Sequence, residues 1–362
     1  DDVCVLAAVR TPMGDICGNL NNVPATKLGS IVIKEALSRA NVSPNDVGEV
    51  IMGNVITAGN GQGPARIAAI AAGIPSTTPC LTVNKVCASG MKATALGASA
   101  IRLGEREVVV TGGMESMSSA PFLLENMRNG HKLGHTQTTD AMLKDGLWDS
   151  FNDFHMGTAA ELCALKHNFT REDQDNFAIQ SYQRAVAAQQ AGEFVSEIVP
   201  VTVQVGRNTV TVDCDEHPGK CNVAKVPALR GAFVLPTGAT SQTVTAANAS
   251  PISDGAAALV LCSGRWARQQ GLQPMALIRG YDDAATAPED FTVAPALAVP
   301  KALGRASLSV ADVHSWELNE AFAVVGLANM KLLGLNADIV NVQGGSVALG
   351  HPLGSSGARI LV

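Results

Sequence analysis

Two residues in this sequence stand where their chemistry could be used. Cys87 lies where a strand-like stretch carrying Leu81, Val83 and Val86 gives way to a run of small residues reaching Ala100 and Ile101. That change of pattern predicts a short buried strand followed by a closely packed helix, with the cysteine at or near the helix N-terminus. A thiol there faces unpaired N–H groups and the positive end of the helix dipole, which predicts a lowered pKa and a better nucleophile. Its unreactive alternative is a small core hydrophobe. His351 lies in Gln343-Gly344-Gly345-Ser346-Val347-Ala348-Leu349-Gly350-His351-Pro352-Leu353-Gly354. Glycines there permit close backbone approach and Pro352 fixes the turn, a placement that suits a histidine held for use rather than one capping a loop carbonyl.

The elements that must position these residues come in two similar sets. Val3 to Val9 reads as a strand stopped by Arg10-Thr11-Pro12-Met13-Gly14. Lys27 to Ala40 carries a helical apolar stripe and leads through Val42 to Val50 into the strand Val50-Ile51-Met52. Ala302 to Val313 repeats Ala36 to Val47 at an offset of 266, with identities at Ala302, Leu303, Arg305, Ala306, Ser309, Asp312 and Val313. Val340-Asn341, followed by a glycine-rich turn and Ser355-Ser356-Gly357-Ala358-Arg359-Ile360, echoes Val83-Asn84, Cys87 and its helix. Two halves that each aim a strand end and a helix start at one place predict a shared site at their junction.

Residues 118–250 differ, leaving the first core at Met117-Ser118-Ser119-Ala120-Pro121-Phe122, and read as an inserted loop domain. Within it Thr170 is expected to cap a structural helix from Gln174 to Gln190, and Ile198 to Val205 and Thr209 to Val212 read as strands. The chain returns to a core strand at Ala256 to Leu261. The expected division is 1–117 plus 251–268 as the first half, 118–250 as the insert and 269–362 as the second half.

Composition narrows the function classes. The 362 residues are 46% hydrophobic and only 4% aromatic, as in α/β cores of Ala, Val, Leu and Ile. A net charge of −6 without basic blocks argues against nucleic acid. The eight cysteines show no C-x-x-C spacing, which favours a reducing compartment. No apolar run reaches the roughly 18 residues of a membrane span, and no leader precedes Val3, although a removed transit peptide stays compatible with that start.

Asn84-Lys85-Val86-Cys87-Ala88-Ser89-Gly90-Met91-Lys92-Ala93 closely resembles the nucleophile segment of the thiolases, and Arg10-Thr11-Pro12 resembles their opening. The Gly350-His351-Pro352-Leu353-Gly354 and Asn319-Glu320-Ala321-Phe322 segments resemble two further thiolase motifs. The resemblance implies that Cys87 carries an acyl group as a thioester. It implies that His351 takes the cysteine proton and helps to hold the oxyanion, and that Asn319 orients a water in an oxyanion hole; from local pattern alone Asn319 reads as a cap.

His155-Met156-Gly157 resembles the short-chain members, in which these side chains line the pantetheine and acyl pocket. Thr245 to Gly255 resembles the segment whose serine, here Ser250, binds pantetheine, although Ala247 and Pro251 depart from the usual glycines. Phe233 matches a phenylalanine near the adenine. Lys220, in Asp215-Glu216-His217-Pro218-Gly219-Lys220, stands in for an arginine that it does not replace evenly at phosphates.

The fold implied is α/β, with duplicated βαβαβαββ units layered α-β-α-β-α and the loop domain inserted. The activity implied is acetyl-CoA C-acetyltransferase, joining two acetyl-CoA into acetoacetyl-CoA and CoA or the reverse, in the cytoplasm or a mitochondrion. Alternatives are a 3-ketoacyl-CoA thiolase of broader range, a decarboxylating condensing enzyme and an acyl-CoA-binding protein without turnover. No metal or permanent cofactor is implied, no membrane partner is expected, and a homo-oligomer is: a dimer, or a tetramer through Met127 to His135. The family also carries a second catalytic cysteine roughly thirty residues beyond the motif histidine. The sequence stops at Val362, so the expectation is an incomplete chain.

Overall fold

Alternation of apolar residues builds a sheet covered on both faces. The computed structural model describes residues 2–235 and 242–362. Val3–Arg10 runs antiparallel to Ser253–Ser263, which runs antiparallel to Val108–Ser116; Glu49–Gly53 and then Cys80–Val83 continue the sheet in parallel. Ala276–Leu277 forms the far edge beside Val3–Arg10, so a segment expected with the second half completes the sheet of the first.

Every residue of Val108–Ser116 and Ser253–Ser263 is buried, and successive side chains point to opposite faces. Val108, Val110, Ala256, Ala258 and Val260 pack with Leu28, Val32 and Ala68 of the helices Ala25–Ala40 and Pro64–Ala71. Val109, Ala257, Leu259 and Leu261 pack with Ala93, Ile101 and Ala358 of the helices Ser89–Arg102 and Leu353–Arg359. Two central strands buried on both faces explain the aliphatic, aromatic-poor composition.

The repeat seen in the sequence recurs in the backbone. Ala25–Ala40 ends on Asn41 at φ 51°, and a turn capped by Ser43 precedes the 3₁₀ segment Pro44–Asp46. At the same offset Ala294–Ala306 ends on Ser307 at φ 58°, and Ser309 caps Val310–Asp312. Beyond this the halves differ: where the first has Glu49–Gly53, the described part of the second has a single parallel bridge, Trp316 to Val340, followed by its helices.

In the insert, the helix Arg171–Ala191 starts three residues earlier than its periodicity predicts, because Thr170 and Asp173 form a capping box. The strands Val201–Val205 and Asn208–Val212 pair as a hairpin. No helix among the described residues is long and apolar enough to cross a membrane. Among the same residues no group of three or more His, Cys, Asp or Glu is placed to hold a metal ion.

Candidate active site

The cysteine corner is a strained turn held by its own neighbours. Between Cys80–Val83 and Ser89–Arg102 the chain reverses at Val86, whose φ of 48° is one that β-branched residues avoid at a cost on the order of 1–2 kcal/mol. The Val86 N–H donates to Asn84 Oδ1 at 2.9 Å, and Ser89 Oγ accepts from the Lys85 N–H at 2.8 Å while donating to the Val86 carbonyl at 2.6 Å. Lys85 and Lys92 flank the corner and share Asp283 of the second half.

Across the halves, His351 Nε2 lies 3.2 Å from Cys87 Sγ. Its Nδ1 is 2.6 Å from Ser356 Oγ, whose own proton goes to the Pro352 carbonyl at 2.9 Å. Ser356 therefore accepts from Nδ1–H, and Nε2 is left bare toward the sulfur. Burial, reinforced by the Arg359 charge, pushes His351 down to about 3.

Cys87 departs from its expectation: burial pushes the thiol up to about 12, with the Glu115 carboxylate adding to the rise. The cysteine precedes the first helical residue; its own N–H lowers the pKa, but the N–H groups of Ala88 and Ser89 are bonded back to the Lys85 and Val86 carbonyls. The helix end thus offers the sulfur little, and desolvation decides. At rest the pair is a neutral thiol beside a neutral imidazole.

Two buried carboxylates pin the histidine loop. Glu115 accepts from Asn54 Nδ2 at 2.7 Å and from the N–H groups of Val55, Ile56 and Gly354 at 2.9, 3.2 and 2.9 Å. Burial raises it to about 7. Glu320 accepts from Ser181 Oγ, Asn341 Nδ2 and the Val347 N–H at 2.8, 2.7 and 3.1 Å. Asn319 Nδ2 is 3.4 Å from His351 Nε2, and its Oδ1 accepts from Ser346 Oγ at 2.6 Å.

The helix Leu353–Arg359 touches both the strand Val108–Ser116 and the helix Ser89–Arg102 backbone to backbone. A Cβ on Gly113 would lie 2.0 Å from the Gly354 carbonyl oxygen, and one on Gly90 2.6 Å from the Ala358 nitrogen.

A second cluster forms an aromatic wall. His155 stacks on Phe233 at 4.7 Å, and Phe233 meets Phe322 edge-on at 6.3 Å. Met156 packs in the same cluster, and a Cβ on Gly157 would lie 2.3 Å from the Phe233 ring, which accounts for the glycine. His155 Nδ1 accepts the Gly157 N–H at 2.9 Å, and burial lowers the imidazole pKa, keeping it neutral. Ser250 Oγ donates to the Ala321 carbonyl at 2.8 Å, joining its loop to the Asn319 segment with its lone pairs free.

Lys220 does not join this group. Its ammonium is held by Asp15 at 2.8 Å and Glu216 at 2.7 Å, beside the contact of His217 with Asp15. Two carboxylates neutralise the charge expected for a phosphate.

The family profile described as "Thiolase, N-terminal domain" matches residues 3–265, and "Thiolase, C-terminal domain" matches residues 272–362. The chain belongs to the thiolase family. It is similar to Acetyl-CoA acetyltransferase 2 of Arabidopsis thaliana, with 57% identity over 363 residues covering 100% of this chain and 89% of the relative. It is likewise similar to the acetyl-CoA acetyltransferase ERG10, cytosolic, of Gibberella zeae, at 53% over 361 residues, 99% of this chain and 90% of that one. Among solved structures it resembles the Acat5 thiolase of Ascaris suum in complex with coenzyme A, with TM-score 0.95, 46% identity and coverage of 100% and 92%.

In this thiolase, Cys87, His351 and Asn319 come together as the sequence expects, and His155, Met156 and Phe233 share one cluster, whereas Glu115, Ser346, Ser356 and Arg359 were assigned no part beforehand. Glu115 left one signal, a carboxylate closing an apolar strand after paired glycines in Gly112-Gly113-Met114-Glu115. The serines left none, because each acts through a contact formed only when the loop folds. A neutral thiol 3.2 Å from a bare imidazole nitrogen can attack a thioester carbonyl as the imidazole removes its proton.

Proposed function

We infer that this chain is an acetyl-CoA C-acetyltransferase, an acyltransferase that reversibly condenses two acetyl-CoA into acetoacetyl-CoA and CoA. The observation that carries the reading is the 3.2 Å approach of Cys87 Sγ to His351 Nε2 across the two halves. Cys87 Sγ attacks the acetyl carbonyl, its proton passes to His351 Nε2, and the departing CoA sulfur takes that proton back, leaving acetyl-Cys87. In the condensation, the methyl of the second acetyl-CoA gives a proton to a base, by resemblance a further cysteine beyond the motif histidine. The methyl carbon attacks the acetyl carbonyl of acetyl-Cys87, releasing the Cys87 sulfur, which takes up that proton, while His351 and a water oriented by Asn319 hold the thioester oxygen of the second acetyl-CoA as charge develops on it.

His155 and Met156, with Ser250 beside them, receive pantetheine and the short acyl group, and Phe233, stacked on His155, stands toward the adenine. Stacked rings and a hydroxyl with free lone pairs suit that amide-rich arm. CoA thioesters are substrates, and no permanent cofactor is part of the reading. Lys220 is left out because Asp15 and Glu216 already hold it.

A homodimer, or a tetramer through the insert, is part of the same proposal. It is supported by exposed Phe122, Leu133 and Phe151 in the insert and exposed Leu81 on the edge strand Cys80–Val83. The eight cysteines are all free thiols, which supports the cytoplasm or a mitochondrion.

The test is the intact mass of the full chain after mixing with acetyl-CoA, with Cys87→Ala in parallel and acetoacetyl-CoA thiolysis followed alongside. One acetyl adduct, lost in the variant, together with turnover is the expected result. Binding without an adduct or turnover would overturn it in favour of an acyl-CoA-binding protein.

A further inference from the structure

Asn319 can present either end of its amide to the active site, and only one end donates a hydrogen bond. What selects the end is a chain of contacts behind it. Arg359, buried in the helix Leu353–Arg359, donates from Nη2 to Ser346 Oγ at 3.1 Å, and Ser346 Oγ donates to Asn319 Oδ1 at 2.6 Å. Ser346 is wholly buried. A guanidinium can only donate, so it occupies a lone pair of the serine and leaves the hydroxyl proton free to aim at Asn319.

The front of the site agrees independently. Ser356 fixes the His351 proton on Nδ1, so the bare Nε2, 3.4 Å from Asn319, is met by an N–H rather than by a second lone pair. Both arguments turn the carbonyl end of Asn319 away from the site and its NH₂ toward it.

We propose that Ser346, backed by Arg359, is a positioning residue that holds the Asn319 amide with its donors facing the reacting thioester. The inference rests on the acetyltransferase reading given above. Ser346 touches no reacting atom. Its hydroxyl removes the alternative in which Asn319 turns its oxygen to the oriented water, an orientation that would draw one of the water's protons away from the developing oxyanion. Asn319 and Ser346 lie in different segments, and Arg359 follows the histidine loop, so one contact chain ties the three together.

The test compares Ser346→Ala, Asn319→Ala and the double variant with the unaltered full chain in steady-state thiolysis of acetoacetyl-CoA. Acetylation of Cys87 by acetyl-CoA is read by mass in each. Ser346→Ala should lower kcat by about tenfold to a hundredfold with KM changed by less than about threefold, because the donor acts on the transition state rather than on binding. The double variant should be no slower than Asn319→Ala alone, since an absent amide needs no orienting. A kcat for Ser346→Ala within about twofold of the unaltered chain would overturn the proposal, as would losses that multiply in the double variant.

Should Ser346→Ala not fold, judged by its urea midpoint, Ser346→Cys carries the same expectation, being of similar size and a weak donor. If the unaltered chain neither acetylates Cys87 nor turns over, the acetyltransferase reading itself fails. If it does both and only the Ser346 variants are unaffected, the positioning role fails alone.

Discussion

The cysteine corner and the histidine loop bring two side chains to one point by opposite means. Around Cys87 the bonds that shape the turn itself span a few residues, Asn84 to Val86 and Ser89 to Lys85 and Val86, with only the flanking Lys85 and Lys92 reaching Asp283 of the second half, and the turn carries the strain of Val86 at φ 48°. Around His351 the supports come from afar: Glu115 to Gly354, Ser253 to the His351 N–H, and Ser181 and Glu320 to Gly345 and Val347. A corner built locally can form before the halves meet. A loop built from distant donors exists only once they have met, so the nucleophile is set by its own segment and the base by the whole fold.

The sharpest way to break this comparison is Glu115→Ala. It leaves the Asn54 side chain and the N–H groups of Val55, Ile56 and Gly354 without their acceptor, an expected loss of about 3 kcal/mol or more. Urea unfolding measures it, and a loss below about 1 kcal/mol would mean that the histidine loop does not depend on the far strand. Next in size is the reactivity of Cys87. With its thiol raised to about 12, alkylation by iodoacetamide should quicken about tenfold per pH unit from pH 7 to 9, because the thiolate fraction grows throughout that range. A plateau below pH 8 would restore the lowered pKa that the sequence alone predicts.

Smaller is the release of local strain. Val86→Asn, at an exposed site where Asn tolerates positive φ, should raise stability by about 1 kcal/mol in the same urea experiment. A loss would show that the turn is not strained. Smallest is Lys220→Ala, which removes half-exposed ion pairs and should shift stability by under about 1 kcal/mol. It should leave the KM for CoA within about twofold, whereas a rise of about tenfold would return Lys220 to the phosphate.

The same contrast explains what could be read from the chain. The strand before Cys87 was legible as a strand but not as the buried one expected, because Cys80–Val83 lies at the sheet edge with Leu81 exposed, and Val86 is exposed beyond it. The Cys87 segment and the small-residue helix after it are local patterns, and both were legible. So was the repeat that places Ala294–Ala306 and Val310–Asp312 like Ala25–Ala40 and Pro44–Asp46. His351 was legible through its glycines and proline. Its partners were not: Ser356 acts by accepting one proton, Glu115 by gathering donors from two distant segments, and Ser346 by standing between Arg359 and Asn319. The pKa of Cys87 was misjudged because position before a helix is visible in sequence, whereas burial and the direction of the Ala88 and Ser89 N–H groups are not. The ion pair of Lys220 was illegible for a related reason, since nothing local announces that Asp15, some two hundred positions away, will meet it.

The close approach of the helix Leu353–Arg359 to Gly90 on its neighbouring helix and to Gly113 on the strand beside it has a consequence for descent. The spacing of nucleophile and base is fixed by main chain against main chain, where no side chain exists to be exchanged. The wall of His155, Phe233 and Phe322 is all side chain. A lineage can therefore redraw what it accepts, ring by ring, while inheriting its reactive centre unaltered.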